Sequence, residues 1–340
     1  MAIGVSVVIC CHNGAQRLPQ TLSHLAAQKI TSAMPWEVIV ADNASTDNTA
    51  RIARECWAEN SPALLRVVHE PRLGLSYARQ RGFADAKYEL VSFVDDDNWV
   101  CPEWVQIVAE VMSRHPDVGA CGGFSGAVCE IQPPWWFECN QGSYAVGAQG
   151  NEAGDVTWTR GFLWGAGLTV RKSAWRQLVS NGFRFLLVDR QGANLTTGGD
   201  LELCFALRLA GYRLWYEPRL RLRHFLPAHR LEWNYMRRLH RALGACSVGG
   251  DAYYFALIEK PKNLKERLRQ TWQWQTLACL KELFRQPRKL LLPFCCPLEG
   301  DPDLLWTENR IGRLFELLQK RSRYDLSIPI VQNALYRSIA

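Results

Sequence analysis

The first 114 residues alternate short apolar runs with segments of helical spacing, and this alternation limits the fold more than any other feature. Val5–Cys10 is the clearest run, and its β-branched residues are typical of a buried parallel strand. Strands are predicted at Val5–Cys10, Trp36–Ala41, Leu65–His69 and Glu89–Val94, and helices at 15–30, Thr46–Glu59, Ser76–Lys87 and Pro102–Arg114. The pattern predicts a doubly wound α/β sheet.

The remaining chain is less regular. Glycine interrupts predicted strands in Val118–Ile131, residues 132–160 resemble a long loop, and Gly211 ends a predicted helix at Asp200–Ala210. Two short strands are predicted at Arg213–Tyr216 and Arg219–His224, the second at a sheet edge. We therefore predict an α/β domain over residues 1–229 and a basic, aromatic helical region over 230–340.

Polar side chains follow the predicted strands at the points where they end. His12 and Asn13 follow the first strand, Asp42 the second, and Asp95–Asp97 the fourth. In doubly wound sheets, ligands bind at the carboxyl ends of the strands. Three adjacent carboxylates repel each other unless a cation or hydrogen-bond donors neutralise them, and Mg²⁺ commonly shares its shell with substrate phosphates. The alternative is a solvated acidic turn.

Four residues are individual candidates, each with a structural alternative. Asp42 can accept a hydrogen bond from a nucleobase, or it can simply form an Asx turn. Asp200 and Glu202 lie in the first turn of a helix after Gly198-Gly199, where acidic residues also stabilise any helix. His224 follows an alternating strand, and a lone histidine is more often structural than a ligand.

The net charge of +7 is unevenly distributed. Residues 1–229 hold 21 Lys/Arg and 22 Asp/Glu, whereas residues 230–340 hold 19 and 11. A basic C-terminal region indicates an anionic partner such as a membrane surface, a phospholipid-linked substrate or nucleic acid. Nothing resembles a nucleic-acid-binding module, so no nucleic acid partner is expected.

The cysteines and the apolar runs bear on cellular location. The 12 cysteines include no CxxC pair and are interpreted as reduced thiols of a cytoplasmic protein. The N-terminal segment lacks the basic start of a signal peptide, and no apolar run approaches 18 residues. We therefore expect a cytoplasmic protein that, if it meets the inner face of the plasma membrane, lies on its surface.

Taken in their order and spacing, several segments resemble family 2 glycosyltransferases, which have the Rossmann-like GT-A fold. The resemblance covers about residues 3–226. The matching segments are VSVVICCHNG, VIVADNASTDNT, LGLSYARQRGF, LVSFVDDDNW, WGAGLTVRKSAW, and TTGGDLELCFALRLAGYRLWYEP followed by RLRHF. It implies a GT-A domain followed by a helical C-terminal extension.

The resemblance implies roles for individual residues. Asp200 would be the catalytic base, and Asp97 would hold Mg²⁺ or Mn²⁺ against the donor diphosphate, with His224 near the metal. The residues implied in nucleotide binding are His12, Asn13, Asp42, Arg79, Asp95 and Asp96, with Gly82 nearby. Two positions depart from the family pattern. Gln80 stands where Asn is common, and Gly199 where Glu is common, which leaves Glu202 as an alternative base.

The implied reaction moves a sugar from a nucleotide-diphosphate donor to a hydroxyl acceptor with inversion at the anomeric carbon. The enzyme would be a hexosyl- or deoxyhexosyltransferase whose acceptor is a glycan or a lipid-linked molecule. The DNASTDNT segment resembles that of rhamnosyl- and related surface-glycan transferases, and this resemblance favours polysaccharide synthesis. Pro133–Trp136 and Trp158–Trp164 would provide either an aromatic acceptor platform and lid or core packing.

Two rival functions make different predictions. A sugar-phosphate nucleotidyltransferase would place a glycine-rich phosphate loop after its first strand, where this chain has Cys11-His12-Asn13-Gly14. A catalytically degenerate nucleotide-sugar-binding scaffold would be expected to lose an aspartate at 95–97 or at 200, and all are present.

Overall fold

The computed structural model describes residues 3–31, 34–59, 61–187, 195, 198–258, 261–289 and 298–337. Nine strands of this part of the chain form one mixed sheet. The strands are β1 Val5–Cys11, β2 Trp36–Asn43, β3 Leu64–Glu70, β4 Leu90–Asp95, β5 Asn98–Val100, β6 Val118–Cys129, β7 Gly154–Asp155, β8 Thr169–Arg171 and β9 Arg213–Leu226. Their order is β3-β2-β1-β4-β8-β6-β9-β5, and β7 pairs with β9.

Helices connect the strands and then form the C-terminal part of the fold. Those before residue 210 are α1 Leu18–Ala26, α2 Thr49–Glu55, α3 Leu75–Asp85, α4 Trp104–Arg114, α5 Phe137–Asn140, α6 Lys172–Ser180 and α7 Gly199–Leu209. Those after it are α8 Trp233–Leu257, α9 Leu264–Arg269, α10 Trp272–Phe284, α11 Pro302–Gln319 and α12 Arg321–Gln332. Short 3₁₀ turns cover Gln141–Tyr144 and Ala228–Leu231.

The four predicted N-terminal strands are parallel neighbours, and helices cover both of their faces. Alternate residues of β1 enter different clusters, since Val8 belongs to one core and Val7 and Ile9 to the other. Cys11 pairs with Asp42, and Cys10 pairs with Asp95, so the three strands end side by side. The predicted α/β fold is confirmed, and its parallel register gathers the polar residues that follow each strand.

The second half of the sheet differs from prediction at β9, in both its length and its position. Arg213–Tyr216 and Arg219–His224 belong to one continuous strand, β9, rather than two. This strand is not at an edge, because β6 pairs along one side while β5 and β7 pair along the other. The Arg/Leu alternation arises because Leu220 and Leu222 are buried while Arg219 and Arg221 are exposed.

The C-terminal helices pack directly on the α/β sheet region. Val248, Ala252 and Tyr253 of α8 belong to the same apolar core as Val8 of β1. Arg237 and Arg241 of the basic C-terminal region both bind the buried carboxylate of Glu308 on α11. These two arginines therefore join helices. The domain boundary at residue 229 stays a prediction.

Within the described part of the chain, no helix has the length and apolar character needed to cross a membrane.

Candidate active site

A cavity of about 580 Å³ opens at the carboxyl ends of the parallel strands. This volume lies in the usual range for small-molecule sites. Seven of the nine site residues predicted from the sequence line it, namely His12, Arg79, Asp95, Asp96, Asp97, Asp200 and His224. The remaining wall comes from α8, from the 3₁₀ turn at Gln141–Tyr144, and from residues 162–166.

Asn13 and Asp42 do not line the cavity. Asn13 adopts a left-handed backbone conformation with φ of 50°, and its side-chain oxygen accepts a 2.8 Å hydrogen bond from the Thr46 amide. Asp42 accepts a hydrogen bond from the Ser45 amide, and its carboxylate lies 3.8 Å from His69. Both side chains hold the turn after β2, which is the Asx-turn alternative considered for Asp42.

Asn43, the next residue, does line the cavity and was not singled out from the sequence. Its amide nitrogen donates to the carbonyls of Glu70 and Arg72, and its oxygen accepts from the Gly74 amide at 2.8 Å. Asn43 therefore fixes the loop that leads into α3. That helix carries Arg79 into the cavity.

The three adjacent aspartates have different environments. The Asp96 carboxylate accepts hydrogen bonds from Arg17 at 2.8 Å and from the Cys11 thiol at 3.2 Å. Burial and the neighbouring Asp97 charge raise the pKa of Asp96, although Arg17 opposes both effects. Arg17 was missed from the sequence because a single arginine before a helix gives no distinctive signal.

Asp97 lies between His224 of β9 and Arg230 of the 3₁₀ turn that follows this strand. Its Oδ1 is 3.7 Å from His224 Nε2, and Arg230 Nη1 donates to its Oδ2 at 3.3 Å. This approach follows from strand pairing, because Asn98 of β5 lies opposite His224 of β9. The amide of Phe225 also donates to the Asp97 carbonyl at 2.9 Å.

Asp97 and His224 offer two ligand atoms for a divalent cation. Ligand atoms that share an octahedral Mg²⁺ lie about 3 Å apart, so 3.7 Å requires only a small side-chain rotation. Among the described residues, no group of three His, Cys, Asp or Glu side chains could hold a metal ion. The residues therefore fit a cation whose shell is completed by a substrate, as is usual for Mg²⁺ bound with phosphates.

Asp200 lies at the start of α7 and faces the same cavity. Its Oδ2 accepts a 2.8 Å hydrogen bond from the Gly165 amide, and its Oδ1 accepts one from the Leu201 amide. A Cβ at position 165 would come within 2.4 Å of Arg79 Nη2 and 3.4 Å of the Asp200 Cβ. Glycine at 165 thus allows the backbone to reach Asp200 beside the Arg79 guanidinium.

Glu202 is not placed to act as an alternative base. It is fully buried, and its carboxylate accepts hydrogen bonds from the Leu186 and Leu187 amides and from the Tyr253 hydroxyl. It points away from the cavity because it occupies the buried face of α7. The sequence could not separate Asp200 from Glu202, since both lie in the first turn.

Two further walls of the cavity contain residues whose roles the sequence did not fix. The α8 wall, which the sequence assigned to a separate region, contains Tyr235, Leu239, Leu243, Cys246 and Ser247. Of the tryptophans considered for a platform, Trp164 lines the cavity. Trp136 is buried and donates to Glu299, and Trp158 is exposed beside Arg208.

A family profile described as "Glycosyl transferase family 2" matches residues 6–178. That match covers more than half of the chain, so the protein belongs to glycosyl transferase family 2. The uncharacterized glycosyltransferase YibD of Escherichia coli K12 is 32% identical over 118 residues, which cover 34% of this chain and 33% of YibD. The chain thus spans about a third of the length of such curated relatives.

Two solved structures share the overall fold. The S. aureus TarS 1-349 structure in complex with UDP has a TM-score of 0.51 and 16% identity, and the match covers 97% of this chain and 90% of that one. The GalNAc-T7 structure with UDP, GalNAc and Mn²⁺ has a TM-score of 0.50 and 15% identity, with coverage of 78% and 54%. These similarities support the GT-A fold with a helical C-terminal region.

Proposed function

We propose that this protein is an inverting, divalent-metal-dependent glycosyltransferase that moves a sugar from a nucleotide-diphosphate donor to a hydroxyl acceptor. The observation that carries the proposal is the presence of Asp97 and Asp200 in one cavity at the carboxyl ends of parallel strands. One carboxylate belongs to a strand terminus and the other to a helix start, so the cavity between them can hold a substrate that both contact.

The donor is proposed to bind along the strand ends. His12, Arg79, Asp95 and Asp96 line this part of the cavity, while Asn13 and Asp42 support it from the adjoining turn. The TarS structure contains UDP, which supports a uridine nucleotide as the first donor to test. Arg17 and Arg79 place positive charge where a diphosphate would need it.

The proposed cation ligands are Asp97 and His224, with Mg²⁺ or Mn²⁺ as the metal. Such a cation would neutralise charge on the leaving diphosphate. Mn²⁺ is present in the GalNAc-T7 structure, which supports the choice of this ion for the first assay. Arg230 adds a second positive group beside Asp97 and can donate to phosphate oxygens.

Asp200 is proposed to take the proton from the acceptor hydroxyl. The two amide donors fix the orientation of its carboxylate, and its remaining lone pairs can accept the acceptor's O–H. The activated oxygen would attack the anomeric carbon from the side opposite the leaving diphosphate, which inverts the configuration. Trp164 and the α8 wall would exclude water that could otherwise hydrolyse the donor.

The acceptor is proposed to be a glycan or a lipid-linked molecule in polysaccharide or glycoconjugate synthesis, with a hexosyl or deoxyhexosyl donor. Leu239 and Leu243 give the α8 wall an apolar character that suits a lipid-linked acceptor. We propose that the enzyme works in the cytoplasm, at the inner face of the plasma membrane.

The deciding experiment measures nucleotide release from a panel of UDP-, GDP- and dTDP-sugars, with and without Mn²⁺. Wild type is compared with Asp97→Ala, with Asp200→Asn, and with Glu152→Ala as a control at an exposed position outside the cavity. We expect Mn²⁺-dependent release from one donor class, lost in the first two variants and retained in the control. If no donor releases its nucleotide and calorimetry also detects no metal-dependent binding of any donor, the transferase proposal is wrong. A catalytically degenerate scaffold then replaces it.

A further inference from the structure

The excess positive charge of the chain is concentrated in one short segment. Residues 261–289 contain eight Lys/Arg and two Asp/Glu, in a chain whose total net charge is +7. This segment comprises α9, α10 and the residues beside them. Most of its basic side chains are exposed, namely those of Lys262, Lys265, Arg267, Arg269, Lys281, Arg285 and Arg288.

The two acidic residues of the segment are engaged locally. Glu266 caps the start of α9, where it accepts hydrogen bonds from the Lys262 amide and the Asn263 side chain. Glu282 pairs with Arg310 of α11 at 3.1 Å. With eight basic and only two acidic residues, the segment keeps a strong net positive charge.

The same segment exposes large apolar side chains on one side of α10. Leu277 is 64% and Phe284 67% exposed, and Trp274 is also exposed. These positions, together with Lys281, follow the spacing of a single helix face. The opposite face of α10, formed by Thr276, Cys279 and Leu283, is buried against the neighbouring helices.

The preceding helix continues this composition. Leu264 and Leu268 of α9 lie one turn apart and are both exposed, and no residue of α9 is buried. Aliphatic and aromatic side chains surrounded by lysine and arginine are typical of helices that lie in a bilayer interface. Nucleic acid could neutralise the basic residues but would leave the exposed apolar side chains in water. An anionic bilayer accommodates both, so the composition favours anionic lipid over nucleic acid.

We propose that residues 261–289 form a membrane-docking surface for anionic phospholipid, with Trp274, Leu277 and Phe284 inserting between headgroups. We call this the α9–α10 surface. Basic residues beside an anionic bilayer each add to binding, and the apolar side chains anchor the helix in the interface. This inference rests on the proposed function for the location of the acceptor, but the contact itself needs neither donor nor metal.

The test is co-sedimentation of the full-length protein with phosphatidylcholine vesicles, with and without phosphatidylglycerol. Two double variants are compared with wild type: Leu277→Ser with Phe284→Ser, and Lys281→Glu with Arg285→Glu. The control combines Leu64→Ser with Arg54→Glu, which are exposed positions on β3 and α2. Circular dichroism establishes that each variant is folded.

We expect wild type and control to bind vesicles that contain phosphatidylglycerol, and each α9–α10 variant to partition at least about tenfold less. Binding should weaken with added salt. Equal binding by all variants would overturn the proposal, as would absence of wild-type binding. A wild-type dimer that the Leu277/Phe284 variant converts to a monomer, without vesicle binding, would assign the surface to a second copy of the chain.

Nucleotide release in solution separates this proposal from the enzymatic one. The α9–α10 variants should retain donor hydrolysis while losing vesicle binding. If wild type releases no nucleotide and shows no metal-dependent donor binding but still binds vesicles, only the proposed activity is overturned. Retained hydrolysis without vesicle binding would overturn the docking surface alone.

Discussion

Arg230 Nη1 donates to Asp97 Oδ2 across 3.3 Å, while His224 Nε2 lies 3.7 Å from the other carboxylate oxygen, Oδ1. The two residues are 133 positions apart and meet because β9 carries the chain back to β5. Asp97 is thus charge-balanced by the protein itself. A cation at Asp97 and His224 would have to share the carboxylate with a guanidinium.

Replacing Arg230 with Ala should change metal binding and turnover in opposite directions. Loss of a nearby positive charge favours a second cation, so Mn²⁺ should bind the variant more tightly in the absence of donor. Turnover should fall by about 100-fold, because a donor to the leaving diphosphate is removed. Calorimetry and nucleotide release measure the two effects. Parallel loss of both would indicate that Arg230 only supports the fold.

Substitution of Gly165 by Ala should impair the site without unfolding the protein. The added Cβ would meet Arg79 Nη2 at 2.4 Å and force the guanidinium away from Asp200. We expect reduced turnover with a thermal midpoint close to that of wild type. Gly154→Ala is the matched control, because a Cβ there meets nothing within 4 Å. If both variants behave alike, the close approach at Gly165 has no functional role.

The variant Glu202→Gln should lose stability while the folded fraction keeps its activity. A glutamine can accept at one oxygen, but its NH₂ would face one of the backbone amides that now donate to the carboxylate. The free energy of unfolding should fall by about 1–3 kcal/mol. Urea unfolding measures this change. Loss of turnover per folded molecule would instead restore Glu202 as a base.

Glu37 should make stability depend on pH at the acidic end. Burial acts to raise its pKa, but hydrogen bonds from the Lys87 amide, Ser6 and Arg66 outweigh burial and lower it below 4.5. The stabilising contribution is therefore complete above pH 4.5 and disappears as pH falls through the folded-state pKa. Urea unfolding measures this effect: the difference in free energy of unfolding between wild type and Glu37→Gln should shrink as pH falls through that range.

The sequence predicted what local pattern and parallel pairing determine. Apolar runs of the right length defined β1 to β4. Because these strands run parallel, the residues that follow them, such as His12 and Asp95, were expected at one edge of the sheet. Side-chain direction within DDD was not predictable, because Asp96 turns toward Arg17 through a contact that spans 79 positions. The edge assignment of Arg219–His224 was wrong because β5, only three residues long, is too short to predict as its partner.

The contacts of α8 could not be predicted from the sequence, for a related reason. Its residues carry an ordinary helical pattern, and nothing local indicates which helix face meets the cavity. Glu308 likewise determines the role of Arg237 and Arg241 from 71 and 67 positions away. The sequence therefore showed that the C-terminal region is basic. Which of its basic residues link helices and which stay exposed could be seen only in the folded structure.

Helix α8 has a consequence for how such an enzyme can diversify. Its 25 residues span about 37 Å, and the same rod that supplies Tyr235 and Leu243 to the cavity also packs along α11 and α12. A chimaera that exchanged the C-terminal helices between relatives would also exchange one wall of the cavity. If the α8 wall selects the acceptor, as the proposed function implies, acceptor choice and the outer helical surface would change together, because one helix carries both.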